Sequence, residues 1–438
     1  MENKSKFNIK EYSKLCLHSL ITGILVGVIV GLYQLGIQGV SSASKWMFSN
    51  DSWWIIMIAV VIAIAAAFLN ELILKFVPSV DGSGIPAIEL GIRGKKEIGW
   101  KKDIIAMSLN SFLSTFAGFP LGTSGPSVVI GGKISKMVHD VTKTGDEDNI
   151  AIACGTGFGC AFLSPIAGLC YIFEESLHKF NIRVVFEALI TMVSAYLTTT
   201  LINHHHLLEI ENAAVFQLNE LYTLILLVIV NTAIGILFVK AIVFIKRLFT
   251  KLEKIKVIKY RGFILYGVVI LLNVLCLGLM GSGTGLIGNI HEYTSLLVIG
   301  GILLFRFIMT VVTGSGKVTG GLVAPMMTLG AICGQFVASL CNTYFGLSVE
   351  INDMLILVSM CMIFGVITKT PITSIALVFS AIGASTGDYL HALINIPYVA
   401  IAIFLAVYIS KWLKVDCLYE QFMEITLENE EKKLNDVK

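Results

Sequence analysis

The chain has 438 residues, of which 55% are hydrophobic and only 14% charged, and its mean hydropathy is +0.82. Soluble domains carry about a quarter charged residues, so a soluble globular fold is excluded. A formal charge of +2 gives no reason to expect a nucleic-acid partner.

The chain opens with MENKSKFNIKEYSK, which is polar and basic, and the apolar block after it, 16–38, is long enough to cross a bilayer as a helix. No cleavable signal peptide is read there. Further blocks at 53–75, 220–245, 262–280 and 388–413 predict an all-α, polytopic membrane protein whose surroundings are lipid. Basic residues gather from Arg93 to Lys102, from Lys246 to Arg261 and from Lys432 onward. The positive-inside rule then puts these segments and both termini in the cytoplasm, and the expected location is the plasma membrane. The nine cysteines lie mostly inside apolar blocks, with no CxxC and no zinc-type spacing, so neither a metal nor another cofactor is expected. Little follows the last apolar block, and no appended soluble regulatory domain is expected. The division is a cytoplasmic segment at 1–15, a membrane domain at 16–425 and a cytoplasmic tail at 426–438.

Three stretches interrupt the apolar pattern in the same way, with glycines, then a proline, then an apolar helix. They are GSGIPAIEL (Gly82 to Leu90), GTSGPSVVIGG (Gly122 to Gly132) and GGLVAPMMTLG (Gly320 to Gly330). Glycine turns the chain sharply and lets backbone amides approach a ligand, and proline suits the first turn of a helix. Each stretch therefore predicts a helix N-terminus with free N–H groups, which is a ready anion site. A bare anion costs tens of kcal/mol to bury, roughly, so several such ends must converge on it. No lysine or arginine stands within the three motifs, as weak, releasable binding requires. A tight helix crossing built on small residues explains any one motif equally well, but not all three.

The motifs also repeat. GPSVVIGGKIS and AFLSPIAGLCYIFEE in the first half match APMMTLGAICG and VITKTPITSIALVFS in the second. Pro126 and Pro325 are each followed at the fifth residue by Gly131 and Gly330, and Pro165 and Pro371 each lead into similar runs that end at Phe173 and Phe379. Matched halves with broken helices predict two inverted-topology repeats, roughly 16–212 and 213–425, with the site at their interface.

These residues resemble the CLC chloride channels and transporters over roughly 15–425. GSGIP is identical to the first family motif, GTSGP stands where the family has G(K/R)EGP, and GGLVAP stands where it has GxFxP. The glutamates of IFEESLHKF and the tyrosine of VDCLYEQF fall at the expected places. The resemblance implies a homodimer with one anion pathway per subunit. It implies a central chloride or similar anion held by the hydroxyls of Ser83 and Tyr419 and the amides of Leu322 and Val323, with Gly84 and Ile85 beside Ser83. The amides around Ser124 and Gly125 would hold a more external anion. Gly82, Pro86, Gly122, Thr123, Pro126, Gly320, Gly321, Ala324 and Pro325 would frame the filter.

One departure bears on mechanism. The third residue of the second family motif is a glutamate that competes with the anion and carries the outer proton of the exchangers; here it is Ser124. A serine hydroxyl holds no charge and does not titrate in the physiological range. Passive, channel-like conduction is therefore expected, with proton-coupled antiport of chloride or another anion as the alternative. Glu175 matches the inner proton acceptor of the exchangers. It and Glu174 also read as a solvated helix end beside His178 and Lys179. Ser380, the repeat counterpart of Glu174, offers no replacement acid.

Other residues carry weaker readings. Arg306 within LLFRFIM is expected to bond carbonyls or to pair with Glu71, Glu89 or Glu187. Lys317 either raises the local anion concentration or sits in an exposed loop. His204, His205 and His206, near Glu209 and Glu211, read as a polar outer loop, with metal binding the less favoured alternative. GSGK (Gly314 to Lys317) lacks the rest of a phosphate-loop pattern. The GxSG spelling of Gly122 to Gly125 also fits an intramembrane serine protease, which would need a histidine base within reach of Ser124; no enzymatic activity is expected.

Overall fold

The computed structural model describes residues 9–177, 179–204, 208, 214–252, 260–387 and 389–437. Among them, seventeen α-helices alternate with turns, and the only extended pairing is a single bridge between Gly122 and Gly321. In a bilayer this is the expected outcome, because a helix satisfies its own backbone while an open sheet edge does not.

The helices fall into two runs of eight. The first comprises α1 (Ile9–Phe48), α2 (Trp53–Phe76), α3 (Ile85–Ile92), α4 (Asp103–Ala117), α5 (Ser124–Thr142), α6 (Glu147–Phe162), α7 (Pro165–Tyr171) and α8 (Ile182–Ile202). The second comprises α9 (Leu221–Lys251), α10 (Arg261–Leu275), α11 (Thr284–Gly288), α12 (Leu296–Gly314), α13 (Val323–Phe345), α14 (Asn352–Thr368), α15 (Pro371–Thr386) and α16 (Tyr389–Trp412). A last helix, α17 (Leu418–Val437), lies outside both runs and passes unbroken through residue 426, where the tail was expected to begin. Each run starts with a long helix, has a short helix third, and packs its first helix on its last, α1 on α8 and α9 on α16. These are the two inverted-topology repeats, and α7 meets α15 where they join.

The glycines that mark the repeat explain its tightest contacts. A Cβ on Gly131 of α5 would lie 2.2 Å from the Ala153 carbonyl of α6, and one on Gly330 of α13 would lie 2.6 Å from the Ser359 carbonyl of α14. Small residues let these backbones touch, as membrane helix pairs require. The α13 and α14 spans are almost wholly enclosed by protein, whereas α2, α8, α12 and α16 turn apolar side chains outward, Phe68, Leu201, Leu304 and Trp412 among them. Among the described residues, eight helices are long and apolar enough to cross a membrane. The expected block at 262–280 is shorter as a helix: α10 stops at Leu275, and Leu277–Leu279 forms a separate 3-10 turn.

Candidate anion site

The first glycine-rich loop is shaped by two left-handed residues, Gly82 at φ 64° and Gly84 at φ 70°. A side chain at Gly84 would meet Met107 Cε at 2.5 Å as well as straining the backbone, so this turn admits only glycine. The turn buries Ser83 and opens α3 at Ile85, with Pro86 in its first turn. The Ile85 N–H donates to Ser83 Oγ at 3.4 Å.

The second and third loops are joined directly. Gly122 and Gly321 exchange N–H to carbonyl bonds, both 2.7 Å, and the Gly320 N–H donates to the Gly82 carbonyl at 2.9 Å. A Cβ on Gly125 would lie 2.9 Å from Gly321 Cα and 3.1 Å from Ser83 Cβ. All three motifs therefore meet at one place. The junction is braced from behind: Thr319 Oγ1 donates to the Val80 carbonyl at 2.6 Å, and Ser114 Oγ of α4 donates to the Thr319 carbonyl at 2.7 Å.

Two long helices begin at this junction. Thr123 and Leu322 are their N-caps, and the first-turn amides of Ser124, Gly125, Val323 and Ala324 have no carbonyl one turn back to bond. Pro126 and Pro325 follow within that turn, both buried. Ser124 is wholly buried, and its Oγ has no hydrogen-bond partner. Tyr419, the second residue of α17, is 1% exposed, and its hydroxyl likewise has none. A buried hydroxyl without a partner is uncommon and calls for a ligand or another explanation. The helix of Tyr419 packs on α3, the helix that starts beside Ser83.

A cavity of about 900 Å³ leads to Ser83, Gly84 and Leu322. Five basic side chains line it, Lys75, Lys96, Lys246, Arg261 and Lys317, against three acidic ones. Lys317, half-buried in the loop before Val318, lines the cavity. Its carbonyl accepts from Asn70 Nδ2 at 3.1 Å, which fixes the GSGK stretch as structure. Lys246 Nζ stands 4.0 Å over the Phe422 ring of α17.

The glutamate pair does not form a merely solvated helix end. It sits in a π-helical turn, Ile172–Leu177, that continues α7. Glu174 accepts from the Ile372 N–H at 2.9 Å, the Thr373 N–H at 2.8 Å and Thr373 Oγ1 at 2.8 Å, so it caps α15 of the other repeat. Glu175 Oε1 lies 3.8 Å from Cys417 Sγ, two residues before Tyr419, with Glu89, Glu420 and Glu174 in electrostatic range. Sequence reasoning gave no role to Cys417 and did not bring Glu89 to this place, although both stand within the quoted motifs. Ser380 Oγ accepts from Ser164 Oγ at 2.6 Å.

Arg306 bonds carbonyls: its Nη1 donates to Leu279 at 2.9 Å and Gly281 at 2.8 Å. Of the three glutamates considered for it, Glu187 instead accepts from Arg183 Nε at 2.8 Å, Glu71 lines the cavity, and Glu89 is buried on α3. Ser124 has no histidine partner among the described residues. His18 sits beside Ser135 and Thr144, His139 beside Asp140, and His291 beside Asp353. Among the described residues the protease reading therefore finds no base. His178, His205, His206, Glu209, Glu211 and the side chain of His391 lie outside the described residues, so the metal reading of the histidine run does too.

Comparison with known proteins gives a consistent result. The chain is 27% identical to the H(+)/Cl(-) exchange transporter ClcA of Vibrio cholerae, over 96% of this chain and 91% of that protein. It is 27% identical to the protein of the same name from Yersinia pestis, over 82% and 79%. Its fold is similar to that of a slow cyanobacterial Cl-/H+ antiporter, with a TM-score of 0.83, 21% identity and coverage of 94% and 98%. A CLC-type fluoride/proton antiporter matches with a TM-score of 0.76, 20% identity and coverage of 95% and 99%. The voltage gated chloride channel family model matches residues 65–411, most of the chain. The chain belongs to the CLC family of voltage-gated chloride channels and transporters, and is a multi-pass membrane protein for anion transport.

Proposed function

We propose that this protein moves chloride, or a similar small anion, through the junction of the three broken helices, in exchange for protons. The observation that carries the anion site is the convergence of Ser83, Gly125 and Gly321 at the start of two helices, beside a buried Ser124 hydroxyl without a partner. Partial charges of this kind hold an anion without trapping it. The central ion would rest on Ser83, Tyr419, Leu322 and Val323, the outer one on Ser124 and Gly125. Exchange is favoured over the passive conduction expected from sequence because the relatives named above are exchangers and antiporters. Glu175, close to the base of the Tyr419 helix, supplies an inner carboxyl for it.

Passive conduction keeps one specific observation in its favour: the side chain at the start of α5 is the hydroxyl of Ser124, with no titratable proton. The two readings separate in liposomes loaded with chloride, with valinomycin and potassium balancing charge while chloride efflux and external pH are recorded together. Proton uptake in fixed ratio to chloride supports exchange. Efflux without proton uptake establishes a passive pathway and refutes exchange. No efflux of chloride, bromide, nitrate or fluoride refutes the anion site itself. We further propose a homodimer in the plasma membrane with both termini cytoplasmic and the transport domain spanning 16–425; cross-linking and protease protection test these.

A further inference from the structure

A polar face lies at the end of α13 opposite the loop junction. Gln335, Ser339, Asn342 and Thr343 recur at helical spacing along it, roughly 18–30 Å from the N-terminal end of the helix. They line a second cavity, of about 410 Å³, closed by Asn352 and Asp353 of α14 and by His291. His291 Nε2 lies 2.9 Å from Asp353 Oδ1, and Asn342 Nδ2 donates to Asn352 Oδ1 at 3.4 Å. Gln335 is 4% exposed and spends its amide N–H on the Tyr293 carbonyl at 2.8 Å. Its Oε1, and Oδ1 of Asn342, are buried acceptors with no hydrogen-bond partner. Each orphaned acceptor costs free energy that a cation would recover and an anion would not. The negative C-terminal end of α13 also favours a cation there, and Asp353 offsets the positive start of α14.

We propose that this cavity binds a divalent transition-metal ion such as zinc. His291 Nε2 and the Asp353 carboxylate are its main ligands, with the Gln335 and Asn342 carbonyls and water completing the shell. An imidazole, a carboxylate and amide oxygens are a nitrogen and oxygen set that suits such ions. Among the described residues no group of three or more His, Cys, Asp or Glu is gathered for a metal. The site is accordingly a reversible one, weaker than a structural zinc centre.

The test is calorimetric titration of zinc chloride into chelator-treated native protein, His291→Ala and Asp353→Asn, each first checked for a native thermal midpoint. The expected result is one site per native chain, with affinity weakened about 10–100-fold or more in either variant. Zinc should also raise the thermal midpoint of the native protein and leave that of His291→Ala unmoved. Absence of zinc binding overturns the proposal. So does equal binding by native protein and His291→Ala, which would place the ion elsewhere, for example at the exposed Cys16. The His291 side chain is 49% exposed, so its alanine variant keeps the test decisive even where Asp353→Asn does not fold.

Discussion

Replacing Gly321 with alanine tests whether the three loops must touch. The added Cβ would stand 2.6 Å from the Gly125 nitrogen, 3.0 Å from the Gly122 carbonyl oxygen and 3.1 Å from Gly125 Cα. All three neighbours are backbone, so no side chain can swing aside, and relief comes only by parting the loops. That breaks the two 2.7 Å bonds between Gly122 and Gly321. Two bonds at about 1 kcal/mol each and an overpacking cost of about 1–3 kcal/mol give a destabilisation of about 3–5 kcal/mol. The control is Gly300→Ala in α12, where no atom lies within 4 Å of the new Cβ. A helical glycine replaced without a clash gains about 0.5–1 kcal/mol. Denaturation of the purified proteins reads the stability difference, and chloride efflux from liposomes reads the site. Gly321→Ala is expected to lose both stability and flux while Gly300→Ala keeps both. A Gly321→Ala protein as stable as the control and with native flux would refute the claim that this contact builds the site.

Substitutions at three further residues probe separate parts of the argument. Tyr419→Phe removes a buried hydroxyl without a protein partner, so it leaves folding stability unchanged or slightly raised; if that hydroxyl bonds the anion, chloride affinity measured by calorimetry falls about 10–100-fold. Unchanged affinity would exclude Tyr419 from the site. Glu174→Ala removes the cap of α15 and costs about 1–3 kcal/mol in denaturation experiments, and Glu174→Gln recovers part of this because one acceptor oxygen remains. Equal stability of all three would sink the capping role. Ser124→Glu places a carboxylate where the outer anion is proposed, so chloride efflux slows at neutral pH and recovers on acidification. A pH-independent rate would mean that this side chain does not face the pathway.

The legible parts of the sequence were those whose cause is local. Each Gly/Pro motif dictates its own turn and helix start, and the glycines at 131 and 330 mark helix contacts through their spacing from Pro126 and Pro325. Glu174 was not legible, because its partners stand 198 and 199 residues away and become neighbours only when α7 meets α15. Its neighbour Glu175 was matched by resemblance, but the contact with Cys417 spans 242 residues. Arg306 was half legible: burial required partners, yet carbonyls carry no sequence signal, and the break in the 262–280 block that exposes the Leu279 and Gly281 carbonyls was read as continuous helix. The polar cavity of α13 was hidden for a related reason. Four of its residues are scattered through an apolar span and gathered by helical periodicity, while His291, Asn352 and Asp353 reach it only through packing.

The placement of charge separates holding an anion from attracting one. Inside the three motifs no full positive charge occurs, and the ends of α3, α5 and α13 offer only backbone dipoles and hydroxyls. The lysines and arginine stand back, on the wall of the cavity that leads to Ser83. Charges on that wall raise the local anion concentration, an effect that salt screens over about 8–10 Å. They add little to the depth of the binding well at the junction, which must stay shallow for an ion to leave. Moving one of them inward would deepen that well and slow release. Raising ionic strength should therefore weaken the capture of dilute chloride from the cavity side while leaving the maximal flux at saturating chloride nearly unchanged. A maximal rate that fell in parallel with capture would place the basic wall at the rate-limiting step and contradict this division of roles.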